Sequence, residues 1–211
     1  MKLDFESARQ RLISYNTGFY RGHPNLDLDA RGYKLFAGGL PDEPEALVEM
    51  IRFVGEDYGG AQKRFLNGQE FRQVSEDIAR NFSASPGLAR ASQLIKSVDP
   101  IETIIPPESV VADLFRPFRT DKHWPVWASK FLHFLRPDTF PILDSRAESA
   151  LDLRRRTPYD RYYVEFMSKF RETMRDNKDT LASLHSLEDF VSPHIVKVLD
   201  KILYVTVEQN Q

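Results

Sequence analysis

The sequence predicts an all-α protein, a compact multi-helix array of about eight to ten short helices. Three observations predict it. Apolar residues recur at three- and four-residue spacing along most of the chain, as in Leu47, Met50, Ile51 and Val54. Prolines stand where helices begin, at Pro44, Pro107, Pro125 and Pro193, because a first-turn N–H has no intrahelical partner to lose. Strand signals are few: Tyr204-Val205-Thr206-Val207 is rich in β-branched residues, but it continues the stripe Ile195, Val198, Leu199 and Ile202.

In chain order, Phe5, Ala8, Leu12 and Tyr15 space out a first helix. Residues 16–44 are rich in Gly, Pro, Asn and Asp and read as an irregular connection with one short element near Tyr33 to Phe36. Pro44 opens the next helix, Glu45 and Glu49 suit its positive end, and Gly59-Gly60 ends it. Further helices are expected at Glu70–Phe82, Gly87–Ser97, Pro107–Phe115, Pro125–Leu135, Arg146–Arg155, Asp160–Arg175, Thr180–Leu184 and Pro193–Val205. With no internal repeat or low-complexity tract, residues 1–211 are read as a single all-α domain. It divides into an N-terminal helical part, 1–110, and a hairpin-containing part, 111–211.

The 211 residues, 41% hydrophobic and 28% charged, suffice for a buried core and set the chain apart from disordered proteins. No apolar run approaches the roughly 20 residues that span a bilayer, so no membrane partner is expected. The start, MKLDFESARQR, lacks an apolar signal core, and there is no cysteine; a cytoplasmic location is the expectation. Absence of cysteine excludes disulfides, cysteine catalysis and thiolate metal sites. His23, His123, His133, His185 and His194 lack paired ligand spacing, so neither metal nor cofactor is expected. Asp27, Asp29, Asp42 and Glu43 offer carboxylates to a cation, but loop carboxylates ordinarily face water, and they are read so. Net charge is near zero, but residues 111–175 carry 13 Lys+Arg against 9 Asp+Glu, between acidic flanks.

That basic middle holds the chemistry-bearing stretch, WPVWASKFLHFLRPDTFPILDSR, residues 124–146. Pro125 opens a short apolar helix that Arg136-Pro137 stops, which sets Lys130 near the helix's positive end. Desolvation and the helix dipole both disfavour an ammonium there, and a neutral lysine is a nucleophile. The second half, FPILD, is an extended connection ending at a helix start. Ser145 with Glu148 reads as a capping box, and Asp144 just before it sits where a carboxylate is favoured. His133, three residues after Lys130, shares its helix face.

These residues resemble the helix-hairpin-helix DNA glycosylases of the 8-oxoguanine glycosylase and endonuclease III superfamily. WPVWASK is similar to that family's hairpin Leu-Pro-Gly-Val-Gly-Thr-Lys: Trp124 and Trp127 stand at its apolar positions, Pro125 at the proline, Ser129 at the threonine and Lys130 at the nucleophilic lysine. FPILD is similar to the segment Val-Pro-Val-Asp that carries the catalytic aspartate, here Asp144. Val126 and Ala128 replace the two hairpin glycines, FPILD has one residue more, and the Lys-to-Asp interval is shorter. The likeness covers about 25 residues within a compatible all-α background. It implies a base-excision glycosylase, with or without lyase activity, acting on duplex DNA with a damaged base. A flipped base would enter an aromatic pocket, Lys130 would attack the sugar C1′, and Asp144 would stabilise the cationic sugar. Trp124, Trp127, Ser129, His133 and Arg146 are the implied substrate- or DNA-binding residues.

Two other classes of function stay open at this level. One is the same fold without catalysis, binding nucleic acid or a nucleotide. The other is a helical interaction protein in which Lys130 and Asp144 are structural. Arg154-Arg155-Arg156 with Tyr159, Arg161, Tyr162 and Tyr163 mixes basic and aromatic residues as nucleic-acid surfaces do. The favoured reading of this run is the plainer one, a polar helix end whose arginines complement the dipole.

Overall fold

The structure, a computed structural model, describes residues 1–20, 22–59, 66, 68–85, 105–187 and 194–206. Asp4 caps the first helix, α1 (Phe5–Thr17), by accepting the Ser7 amide at 3.0 Å, and α1 buries Ala8, Leu12 and Tyr15 on the expected stripe. A two-residue antiparallel pair follows, β1 (Phe19–Tyr20) with β2 (His23–Pro24).

The next element corrects the sequence reading. Residues 25–36 form a helix, α2 (Asn25–Phe36), where an irregular connection was expected. Its buried face is Leu28, Asp29, Gly32 and Phe36, so one carboxylate and one glycine interrupt the apolar signal. Gly32 is there for a close approach: a Cβ on it would lie 2.2 Å from the Phe134 ring.

Pro44 opens α3 (Pro44–Arg52), which passes into a π-helical turn, Phe53–Asp57, closed by the Tyr58 amide on the Phe53 carbonyl at 2.9 Å. Then come α4 (Gly68–Ser83) and α5 (Glu108–Phe115), the latter followed by a 3-10 turn, Arg116–Phe118. Beyond them lie α6 (Pro125–Leu135), α7 (Ser145–Ala150), α8 (Tyr159–Asp176), α9 (Lys178–His185) and α10 (Ile195–Thr206). The expected helix at Gly87–Ser97 lies outside the described residues, as do Gly60, Pro193 and Val207. Tyr204 to Thr206 continue α10 and form no strand.

Among the described residues the fold is all-α, ten helices and one two-stranded ribbon. Its hub is α6, which buries nine of its eleven residues. The Phe131 ring meets Phe36 at 5.0 Å, Phe82 at 5.2 Å and Phe118 at 5.5 Å, joining α2, α4 and the 3-10 turn to one helix. Each such ring contributes about 1.5–3 kcal/mol by leaving water. The buried apolar side chains from Ala8 to Leu203 form one cluster, so both expected parts of the chain share a core. The last described helix, α10, packs on α1, α7 and α9. No described helix is long and apolar enough to cross a membrane.

Candidate functional site

The turn before α6 is a tight one. The Trp124 amide donates to Phe118 O at 3.2 Å, an isolated bridge pairs Arg119 with His123, and Ala128 N donates to Trp124 O at 2.9 Å. Val126 and Ala128 are therefore helical residues of α6. Lys130 is the sixth residue of that helix, deeper than its mouth.

Its amine meets a feature the local sequence does not show. Lys130 Nζ donates to Tyr58 O at 3.0 Å and Gly59 O at 3.3 Å, and lies 5.3 Å from the Tyr58 ring centroid. These carbonyls end the α3–π-helical segment, where a helix dipole presents its negative end to a cation. Gly59 turns the chain there with φ of +74°, and a Cβ on it would fall 2.2 Å from the Tyr20 hydroxyl.

Asp144 also differs from its expected setting. It is itself the N-cap of α7, accepting the Arg146 amide on Oδ1 at 2.9 Å, while Ser145 is the first helical residue. The capping box does not form, because Glu148 turns to Arg155, whose Nε donates to its carboxylate at 2.9 Å.

Lys130 and Asp144 line the same cavity, about 240 Å³ in volume, together with Val126, Ile142, Ser145 and Arg155. Residues 124–146 thus line one cavity from both of their Pro turns. Four tyrosines, Tyr15, Tyr20, Tyr58 and Tyr204, supply aromatic wall, and Leu28 adds an apolar patch.

The rest of the wall was not legible in the motif. From α10, Lys197 and Asp200 reach the cavity, backed by Asp29 of α2. Lys197 Nζ donates to Asp200 Oδ2 at 2.7 Å and to the Tyr58 hydroxyl at 2.8 Å, and stands 3.4 Å from Asp29 Oδ1. The Tyr58 hydroxyl in turn donates to Asp29 Oδ1 at 2.6 Å, and Tyr15 reaches the same oxygen at 3.4 Å. Lys201 approaches Asp29 Oδ2 at 3.4 Å without hydrogen-bond alignment and donates to Asn16 Oδ1 at 3.2 Å. All four charged groups are at most 5% exposed, far from the water-facing role expected of Asp29.

Burial opposes the Lys197 ammonium, but Asp200 and Asp29 outweigh it and hold its pKa well above the ordinary lysine value. Burial raises the Asp200 pKa against the pull of Lys197, and lowers that of Lys201 against the pull of Asp29. Burial, with the Asp29 carboxylate beside it, also pushes the Tyr58 hydroxyl well above its usual range. Taking four charges out of water costs several kcal/mol per ion before pairing repays it, so such a cluster beside a cavity marks a functional site more readily than a stabilising one.

The signal for this wall lies in α10. Lys197, Asp200, Lys201 and Tyr204 recur at three- and four-residue spacing, which resembles a solvated face opposite the apolar stripe. Here both faces are buried.

The remaining implied residues lie outside the cavity lining. Trp127 is fully buried and donates Nε1–H to Ile51 O at 2.9 Å. Trp124 packs edge-on against Trp127, with centroids 5.9 Å apart, and donates to Thr120 Oγ1 at 3.2 Å. Ser129 is buried, donating to Val126 O and accepting the Leu143 amide, each at 3.0 Å. His133 is fully buried between Phe140 O, 2.8 Å from Nδ1, and the Tyr33 hydroxyl, 2.9 Å from Nε2. Although it follows Lys130 by three residues, it faces α2 and the core. The Arg146 guanidinium lies over the Tyr204 ring at 4.3 Å. The basic run 154–156 is not helical; Arg155 faces Glu148 and Arg156 faces Glu165 at 2.5 Å.

Among the described residues no group of three or more His, Asp or Glu is placed to hold a metal ion. Comparison with known proteins finds no matching family model, curated protein or solved structure.

Proposed function

We propose that this chain excises a base from DNA, with Lys130 as the nucleophile and Asp144 as its carboxylate partner. One observation carries the reading: the two Pro-turn segments, fourteen residues apart in register, bring Lys130 and Asp144 to a single cavity walled by tyrosines. The volume lies just below the roughly 300–1,000 Å³ of drug-sized sites, which suits one heterocycle and part of a sugar.

The charge pattern favours a neutral occupant. Lys197 and Lys201 are matched by Asp29 and Asp200, Arg155 by Glu148, and Lys130 shares the lining with Asp144, so among the described residues the cavity has no surplus of cations to receive a phosphate. In the proposed step the Lys130 nitrogen bonds to C1′ and the C1′–N bond to the base breaks. The base leaves with that electron pair and takes up a proton. The C1′–O4′ bond then opens, its electron pair leaving on O4′, which takes up a proton, and C1′ is left as the imine of Lys130 that borohydride reduces. Asp144 stabilises the positive charge that develops on the sugar. Attack requires a Lys130 amine that has lost a proton and left the Tyr58 and Gly59 carbonyls.

Those same carbonyls favour a second reading, a pocket that binds a heterocycle without reacting, since they hold Lys130 as a structural cation. Borohydride trapping on duplexes carrying an abasic site or a damaged base separates the two. Excision predicts a covalent protein–DNA adduct that Lys130→Ala abolishes. Salt-sensitive DNA binding with no adduct on any duplex tested removes excision and leaves the binding reading.

A further inference from the structure

We infer that Asp200 selects the occupant of the cavity by accepting a hydrogen bond from a ring N–H of a neutral heterocycle. The inference rests on the excision reading only for the identity of that heterocycle as a nucleic-acid base.

Lys197 is saturated: its ammonium faces Tyr58, Asp200 and Asp29. The Tyr58 hydroxyl donates to Asp29 and accepts from Lys197, and the Tyr15 hydroxyl is aimed at Asp29. On the α10 side that leaves Asp200. Lys197 pins its Oδ2 at 2.7 Å, and among the described residues no hydrogen bond engages Oδ1. The residue is 5% exposed and lines the cavity, so Oδ1 has little water of its own. A carboxylate oxygen held this way gains strongly from an arriving N–H and loses its remaining hydration to an arriving methyl group. Lys197 fixes the carboxylate's orientation as well as its charge, so the acceptor is preorganised.

The test uses heterocycles whose glycosidic nitrogen is already methylated. The full chain is titrated calorimetrically with 1-methyluracil and 1,3-dimethyluracil, and with 9-methylhypoxanthine and 1,9-dimethylhypoxanthine. In at least one pair the N–H compound is expected to bind the wild-type protein at least about tenfold more tightly than its methylated partner. In Asp200→Asn the carboxamide oxygen stays with the Lys197 ammonium and turns its NH₂ into the cavity. The preference should then fall below about threefold.

Equal binding within both pairs, no binding of any of the four, or a preference that survives Asp200→Asn overturns the inference. The wild-type comparison needs no variant and so does not depend on Asp200→Asn folding. An Asp200-dependent preference without a borohydride adduct at Lys130 leaves Asp200 as the selector and removes excision. An adduct without any N–H preference does the reverse.

Discussion

Ser129 accepts the backbone N–H of Leu143 at 3.0 Å. One buried hydroxyl thereby ties the residue before Lys130 to the residue before Asp144, and the two halves of the motif are held in register by their neighbours. Ser129→Ala leaves the Leu143 N–H buried without a partner, at an expected cost of about 1–3 kcal/mol. Chemical denaturation should show the lower midpoint, and borohydride trapping should weaken with it. A midpoint equal to wild type would show that the bond does not set the register.

Asp144 has two separable roles, as cap of α7 and as charge in the cavity. Asn caps helices about as well as Asp, so Asp144→Asn should hold stability within about 0.5 kcal/mol while greatly slowing adduct formation. Asp144→Ala should also lose about 0.5–2 kcal/mol of stability. Full trapping activity in Asp144→Asn would confine the residue to capping.

Removing Lys197 should do more harm than neutralising Asp200. Lys197→Met leaves Asp200 buried without its ion-pair partner and Asp29 with Lys201 at 3.4 Å, and about 3–5 kcal/mol of stability should be lost. Asp200→Asn keeps Lys197 against Asp29 at 3.4 Å and should cost clearly less. The ordering of the two denaturation midpoints checks this, and the reverse order contradicts the charge arrangement.

His133 gives the fold a defined acid sensitivity. Phe140 O can only accept, so Nδ1 carries the hydrogen and Nε2 accepts from the Tyr33 hydroxyl, a neutral ring with both nitrogens in use. Burial and the Lys197 charge push its pKa down to about 3 from 6.5. Between those values the unfolded chain binds a proton that the folded chain refuses. The His133 contribution is thus intact above pH 6.5 and declines as pH falls toward 3. The decline should approach about 1.4 kcal/mol per pH unit in the middle of that window. His133→Gln should flatten the pH dependence of the denaturation midpoint between pH 6 and 4, and an unchanged slope would contradict the assignment.

What the sequence makes legible follows from how local each signal is. Pro44, Pro125 and the i, i+3, i+4 stripes mark helices because capping and amphipathicity are decided within a few residues. Lys130 and Asp144 line one cavity, each placed by a Pro turn that is visible in the sequence. The cap of α7 falls one residue before the expected one, since Asp144 and Ser145 both suit an N-cap. The helix over residues 25–36 is not legible in the sequence because Asp29 and Gly32 occupy its buried face for reasons supplied from elsewhere, Lys197 and Phe134. Lys197 and Asp200 read as a solvated face because nothing local reveals that α10 is enclosed on both sides. Trp127 and His133 looked available for a ligand, yet the core takes both through Ile51 O and Tyr33.

The closure of the ionic wall by α10 has a consequence for the order in which the site comes into being. During synthesis Lys130 and Asp144 emerge well before Ile195, and until α10 docks, Asp29 and the hydroxyls of Tyr15 and Tyr58 remain open to water without their cation. The cavity is therefore finished by the last described helix. A chain cut before Ile195 would carry the whole WPVWASK and FPILD pattern and still have no enclosed place in which to use it.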